Sequence, residues 1–399
     1  METTADVIIV GAGIVGLATA FSLQQQHPAK RILVLDKEAR VAFHQSGRNS
    51  GVLHSGIYYK PGSLKAVTCR AGRQLMEEFC QREGLPYEIC GKVIVAVDES
   101  ECGALNTLYE RGRANGVRCE LIDRARLLEI EPHAAGVAAL HVPETGIVDY
   151  AQVCERLALR IADRGNRVLT GARLLRLTEK LDEITVETTL GSFTASFVVN
   201  CAGLQSDRVV SLAGGSSHAK IIPFRGEYFT LRPEAAYLCE NLIYPVPDPQ
   251  FPFLGVHFTR TISGVVECGP NAVLALAREA YRKTGVGISD LIDMLSFSGF
   301  RKLVARHWRV GAGEMWRSMS KLAFVKALQR LVPSITATNL LPAPAGIRAQ
   351  AVAPDGSLLD DFAFLETRRL VNVINAPSPA ATASLAIGRV IVEKLAQRF

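Results

Sequence analysis

The segment from Asp6 to Asp36 constrains this chain more than any other. Asp6-Val-Ile-Ile-Val10 is a short apolar, β-branched run; Gly11-Ala12-Gly13-Ile14-Val15-Gly16 follows at once, and an Ala/Leu-rich stretch continues to Gln26. Arg31-Ile-Leu-Val-Leu35 then reads as a second buried strand that ends in Asp36. A strand, a glycine turn, a helix and a strand closed by an acid about 20 residues past the last glycine is the pattern of a βαβ dinucleotide site. Gly11 permits the tight turn, Gly13 lets backbone approach a pyrophosphate, and Gly16 lets the helix pack closely on the strand. The helix N-terminus then offers amides and a positive dipole end to the diphosphate. Asp36 is placed to accept hydrogen bonds from both ribose hydroxyls and to repel a 2′-phosphate, which argues against an NADP-type ligand. The spacing defines a dinucleotide and leaves its kind open.

A chain of 399 residues is too long for one core, so two intimately packed domains are expected. The stretch 41–68, rich in Gly, Ser, His, Tyr and Asn, is a polar loop that an ordinary βαβ sheet does not need, and such loops tend to be functional. Helical patterns follow at 70–83, 100–115 and 150–164, with strand patterns at 92–97, 167–178 and 183–190. Phe197-Val-Val-Asn-Cys-Ala-Gly203 and Arg369-Leu-Val-Asn-Val-Ile374 are further buried strands, and the latter leads into a helix that runs to the C-terminus. Residues 220–275 read as β-rich. The nucleotide domain is therefore discontinuous, assembled from at least three pieces of chain.

The nine cysteines are scattered and odd in number, with no Cys-x-x-Cys pair, which suggests a reducing compartment and no metal site. No apolar run is long enough to span a bilayer, and a strand starting near Met1 leaves no room for a leader, so a cytoplasmic protein is expected. The formal charge of +6 is local: residues 299–330 hold eight Lys/Arg and one acid, leaving the rest of the chain close to neutral. Both tryptophans, Trp308 and Trp316, lie in this stretch with Phe300 and Phe324. Cations interleaved with indoles on a helical pair suit an anionic membrane surface. The other reading is a solvated helix face with the rings buried in the domain. No nucleic-acid motif accompanies the charge.

Several blocks together carry a family resemblance. They are the N-terminal fingerprint, His44-Gln45-Ser46-Gly47-Arg48-Asn49-Ser50-Gly51-Val52-Leu53-His54-Ser55-Gly56-Ile57-Tyr58-Tyr59, Pro223-Phe224-Arg225-Gly226-Glu227-Tyr228 and Phe253-Leu254-Gly255-Val256-His257. Gly269-Pro270-Asn271-Ala272-Val273, Ala345-Gly346-Ile347-Arg348-Ala349-Gln350 and Asn375-Ala376-Pro377-Ser378-Pro379-Ala380-Ala381-Thr382 complete the set. The chain resembles, over essentially its whole length, the FAD-dependent L-2-hydroxyglutarate dehydrogenases (oxidases) of the D-amino-acid-oxidase-like flavoprotein superfamily. It departs from them at Arg48, where a His is expected, and the role of that position is open.

The resemblance implies an α/β fold with a discontinuous Rossmann-like FAD-binding domain (residues 1–90, 145–215 and 340–399) and a β-sheet-based substrate domain. The latter comprises residues 91–144 and 216–339, with the basic helical stretch at 299–330. It implies FAD held by Gly11, Gly13, Ile14, Val15 and Gly16; by Asp36 and Lys37; and by Gln45, Ser46, Asn49, Ser50 and Gly51. Ala202, Gly203, Ser378, Ala380, Ala381 and Thr382 complete the expected cofactor contacts. It further implies two-electron oxidation of an L-2-hydroxy dicarboxylate, with electrons passed to a membrane quinone or to oxygen. Another 2-hydroxy acid, an amino acid or a glycerol phosphate would suit the same fold, and so would a non-catalytic FAD scaffold. A peripheral position on the inner face of the cytoplasmic membrane follows if the basic stretch docks there.

Oxidising a secondary alcohol requires hydride loss from the α carbon and a base for the hydroxyl proton, and histidine is the natural base. His257 is expected as proton acceptor, after a short strand, and His54 as a positioning group; the two assignments could exchange. Two carboxylates call for cations with planar donors. Arg348 is the first candidate, with Arg225, Tyr58, Tyr59 and Lys65 behind it for the distal carboxylate. The turn at 378–382 would bring a second helix N-terminus to the ring's negative edge.

Overall fold

The computed structural model describes residues 3–247 and 254–399. Thr4–Val10 alternates its apolar side chains: Val7 and Ile9 face one side, Ile8 and Val10 the other. A strand that is apolar on both faces belongs at the centre of a covered parallel sheet. It pairs in parallel with Ile32–Leu35 on one side and with Gly191–Asn200 on the other. Arg167–Leu169 extends the sheet beyond Ile32–Leu35, and Leu370–Asn375 extends it beyond Gly191–Asn200. Four helices cover one face: Ile14–Gln26, Leu64–Glu83, Tyr150–Ala162 and Ala380–Ala396. Their starts are set locally, since Ser63 accepts from the Ala66 amide and Asp149 accepts from Ala151 and Gln152. Gly84, at φ +65, ends the long helix in the left-handed conformation. Leu17, Leu23, Ile387 and Ile391 are fully buried beneath these helices, and each such side chain contributes about 1.5–3 kcal/mol.

The pattern read as one strand at 167–178 is two. Arg167–Leu169 joins the sheet in parallel at one edge, and Leu174–Glu179 pairs antiparallel with Ile184–Thr188, which pairs antiparallel with Gly191–Asn200 at the other end of the same sheet. Gly171, at φ +72, turns the chain between them, and the Gly171 and Ala172 amides donate to the Glu38 and Asp36 carbonyls.

A second, mixed sheet runs in the order Leu340–Pro342, Phe229–Leu231, Val266–Gly269, His257–Arg260, Leu242–Pro245, Lys92–Ala96, Ala138–Val142, Glu120–Asp123. One face packs Val93, Val95, Ile243, Phe258 and Cys268 against Phe324, Val325 and Leu328 of the helix Lys321–Leu328. Side chains alternate across a strand. The opposite face therefore carries Lys92, Tyr244, His257, Thr259 and Glu267. His257 is the first residue of its strand. Lys220–Gly226 and Gly346–Val352 pair antiparallel and link the two sheets, placing Phe224 opposite Arg348.

The basic stretch forms the helix Ser298–Met319, kinked at His307, and then Lys321–Leu328. Trp308 and Trp316 are 59% and 63% exposed, which overturns the reading that buries their rings in the domain. Among the described residues, no helix is long and apolar enough to cross a membrane.

Candidate active site

A continuous cavity of about 910 Å³ runs from the glycine turn to the second sheet. At its first end Gly11 adopts φ +108, and a Cβ there would stand 2.4 Å from the Cys201 carbonyl oxygen. A Cβ on Gly16 would stand 2.0 Å from the Gly11 oxygen, so Gly16 serves helix packing and does not line the cavity. Gly13, Ile14, Val15, Ala202 and Gly203 do line it. Two amides of the turn are already bonded: Ala12 donates to Asp36 (2.7 Å) and Ile14 to the Ser46 hydroxyl (2.9 Å). Asp36 also accepts from the Glu38 amide at 2.8 Å, so it fastens the strand end to the turn as well as facing the cavity. Burial raises its pKa, against the pull of those two amides.

Lys37 lines the cavity beside Asp36. Its ammonium pairs with Glu38 and Glu279 and lies 3.1 Å from His44 Nε2. Glu38, His44 and Glu279 present ligand atoms within 4.8 Å of one another, and the Lys37 ammonium contacts all three. Arg48, the departure from the expected His, lies over the Tyr281 ring at 4.1 Å and donates to the Phe43 carbonyl.

The polar loop folds on itself and on the site. Asn49 donates to the Gln45 and Ser46 carbonyls and accepts from the Gly51 amide, while Gln45 accepts from Ala349. Gln45, Ser46, Asn49 and Ser50 line the cavity. Gly51 does not; it is required by φ +70 and by the Val148 oxygen, 2.6 Å from where a Cβ would be. Ser378, Ala380, Ala381 and Thr382 line the middle of the cavity at the start of the last helix, where Thr382 bonds the His54 amide and the Tyr150 hydroxyl.

At the far end the second sheet, the loop and the strand Gly346–Val352 bring together His54, Tyr58, Tyr59, Tyr228, Tyr244, His257 and Arg348. His257 Nδ1 lies 2.8 Å from the Gly255 carbonyl. A carbonyl only accepts, so Nδ1 carries the proton and Nε2 is left with its lone pair. The ring rests against Tyr244, centroids 4.0 Å apart. Burial holds the His257 pKa down at about 3, with Arg348 and Lys92 adding to the effect. His54 is likewise held at about 3 by burial, then by Lys92, His257 and Arg348. Both rings are therefore neutral at physiological pH. Arg348 is hydrogen-bonded with Tyr228, whose phenol burial pushes up to about 12.

Arg225 does not belong to this group. It is buried, pairs with Glu227 at 2.9 Å and donates to the Arg282 carbonyl, so its charge is consumed in holding the segment at 280–283. Lys65 lines the cavity, with its ammonium 3.0 Å from Asp360. Phe253, the first residue of one family block, lies outside the described residues. Tyr228, Tyr244 and Lys92 were not singled out from sequence; the polar positions of Lys92-Val-Ile-Val-Ala96 and Leu242-Ile-Tyr-Pro245 were the available signal.

A glycine turn joined by one cavity to a cluster of histidines and an arginine defines a dinucleotide-dependent oxidoreductase. The chain belongs to the FAD-dependent oxidoreductase family, whose model matches residues 6–394, and FAD is its cofactor. Within that family it groups with the L-2-hydroxyglutarate dehydrogenases. The protein of that name from Indibacter alkaliphilus is 49% identical over 98% of this chain and 99% of its own length. The enzyme from Escherichia coli K12 is 44% identical over 98% and 93%, and the mitochondrial one from Nematostella vectensis 45% over 99% and 91%. Among solved structures, FAD-bound L-α-glycerophosphate oxidase from Mycoplasma pneumoniae superposes with a TM-score of 0.81 at 24% identity, covering 99% of this chain and 95% of the other. That likeness speaks to the fold.

Proposed function

We propose that this protein oxidises L-2-hydroxyglutarate to 2-oxoglutarate. The observation that carries the reading is 49% identity, over nearly the whole of both chains, to a protein named L-2-hydroxyglutarate dehydrogenase. The cavity suits FAD: glycines stand where a Cβ would strike backbone, and small residues at 202–203 and 380–381 leave room between the two ends. Bound there, FAD supplies the acceptor for the hydride that leaves the substrate's α carbon.

His257 Nε2 takes the hydroxyl proton. Its neutral form is the competent one, and a neighbouring dianion raises its proton affinity as the proton arrives. Arg348 holds the carboxylate next to the reacting carbon, its guanidinium steadied by Tyr228. His54, fixed through its backbone to Thr382, orients the substrate side of the site. Burial of the group excludes water and strengthens each of these interactions. Residues 1–90, 145–215 and 340–399 form the cofactor domain, from which His54 and Arg348 reach the substrate, and 91–144 and 216–339 form the substrate domain.

Electrons then pass to a membrane quinone rather than to oxygen. Support comes from the exposure of Ile288, Ile292, Trp308, Trp316, Met319 and Leu322, in and next to the stretch of sequence that carries Arg301, Lys302, Arg306 and Arg309, which suits a peripheral position on the inner face of the cytoplasmic membrane. Two measurements test the proposal. Anaerobic mixing with L-2-hydroxyglutarate should bleach the flavin band, and the D enantiomer should not; equal bleaching by both refutes the substrate assignment. Liposomes containing anionic lipid should pellet the protein at low salt, and failure to pellet removes the membrane step.

A further inference from the structure

The buried cations of this protein come with carboxylates: Arg225 pairs with Glu227, Arg278 with Asp207 and Lys65 with Asp360. Lys92 breaks the pattern. It is 1% exposed, and its Nζ has no hydrogen-bond partner among the described residues. The ammonium lies over two rings, 4.5 Å from the Tyr58 centroid and 4.9 Å from that of Tyr244. Such contacts fall well short of the cost of taking an ion out of water. Two further buried polar atoms beside it are also unpartnered, Tyr58 Oη and His54 Nδ1. Tyr58, Tyr244 and His54 all line the far end of the cavity, and the charge of Lys92 is felt at both His54 and His257. Lys92 stands just behind the Tyr58 and Tyr244 rings without itself lining the cavity, and burial holds its pKa down at about 7; the structure thus gathers an amine that a nearby anion would charge and two hydrogen-bonding atoms at one place, and gives them no anion.

We propose that Lys92, together with the Tyr58 hydroxyl, recognises the second carboxylate of the substrate and so selects a dicarboxylate over a monocarboxylate 2-hydroxy acid. This rests on the substrate reading above. Arg348 takes the carboxylate beside the reacting carbon, and Lys92 answers the other charge from the floor of the second sheet. Lys65, considered from sequence for this task, already has Asp360 as its counter-ion.

The FAD-loaded enzyme and its Lys92→Met variant would be compared on L-2-hydroxyglutarate and L-2-hydroxybutyrate, which differ at the distal carboxylate. The ratio of kcat/KM for the first over the second should fall at least about tenfold in the variant, the loss of one charge-assisted contact. Glutarate should raise the melting temperature of the wild-type protein, and the variant should lose that rise. A ratio unchanged within about threefold, with the glutarate shift retained, overturns the proposal. If Lys92→Met does not retain FAD, Tyr58→Phe carries the same test, because it removes only the hydroxyl. Wild-type enzyme that prefers the monocarboxylate would defeat the substrate reading itself, a result separate from a wild type that prefers L-2-hydroxyglutarate and a variant that still does.

Discussion

The two ends of the cavity are built in opposite ways. The nucleotide end is made of backbone and absent side chains: Gly11, Gly13 and Gly16 lie within one βαβ unit and act through what they lack, although Cys201, at the end of a strand distant in sequence, closes on Gly11 and Gly16. The reacting end is made of side chains that meet only because distant strands pair in register, with His257 in line with Gly269 and Phe224 opposite Arg348. A steric site tolerates no added atom, whereas a chemical site tolerates small changes in volume and none in donor or charge.

Gly16→Val should have the largest effect, since even a Cβ there meets the Gly11 oxygen at 2.0 Å. The expected outcome is protein that purifies colourless; yellow protein with normal FAD content would break the distinction between the ends. His257→Gln should keep FAD and lower the rate of flavin reduction by about 10²–10⁴, as loss of a general base does. A stopped-flow trace unchanged within about threefold would move the proton acceptor elsewhere. Arg225→Met should cost about 1.5–3 kcal/mol of stability, the loss of a charge-assisted contact, since Lys283 and Asn271 still face Glu227, with little change in KM for L-2-hydroxyglutarate; a large rise in KM and unchanged stability would return Arg225 to the substrate. The smallest effect concerns acid stability of the FAD-free protein. Because His54 and His257 are held near 3 in the fold, the unfolded chain binds more protons between that value and about 6.5, and the melting temperature falls as pH drops through the window. His54→Gln should make that fall shallower; an identical pH profile would mean the ring is not buried neutral.

The same contrast explains what was legible in the sequence. The glycine turn, its flanking strands and the helix starts at Ser63 and Asp149 are local, and the chain spells them out. Arg225 sits in a family block and looks like a substrate clamp, yet its partner Glu227 is only two residues away and the carbonyls at 280–282 complete its cage. Lys92 went unnoticed because nothing in Lys92-Val-Ile-Val-Ala96 says which face the lysine occupies until Leu242–Pro245 pairs beside it. The break at Gly171 was hidden because a glycine inside an apolar run looks the same in a strand and in a turn. Trp308 and Trp316 resisted a decision from composition alone, because an indole beside arginines suits either a core edge or an exposed face.

The parallel sheet has a consequence for synthesis. Its last strand, Leu370–Asn375, adds next to Gly191–Asn200, and the final helix seats Gly388 against Ala18, where a Cβ would lie 2.6 Å from the carbonyl oxygen. A nascent chain therefore carries an unfinished sheet edge until Leu370–Asn375 and the helix Ala380–Ala396 have left the ribosome. Loss of even a short carboxy-terminal piece to a premature stop should yield aggregates instead of a weakened enzyme.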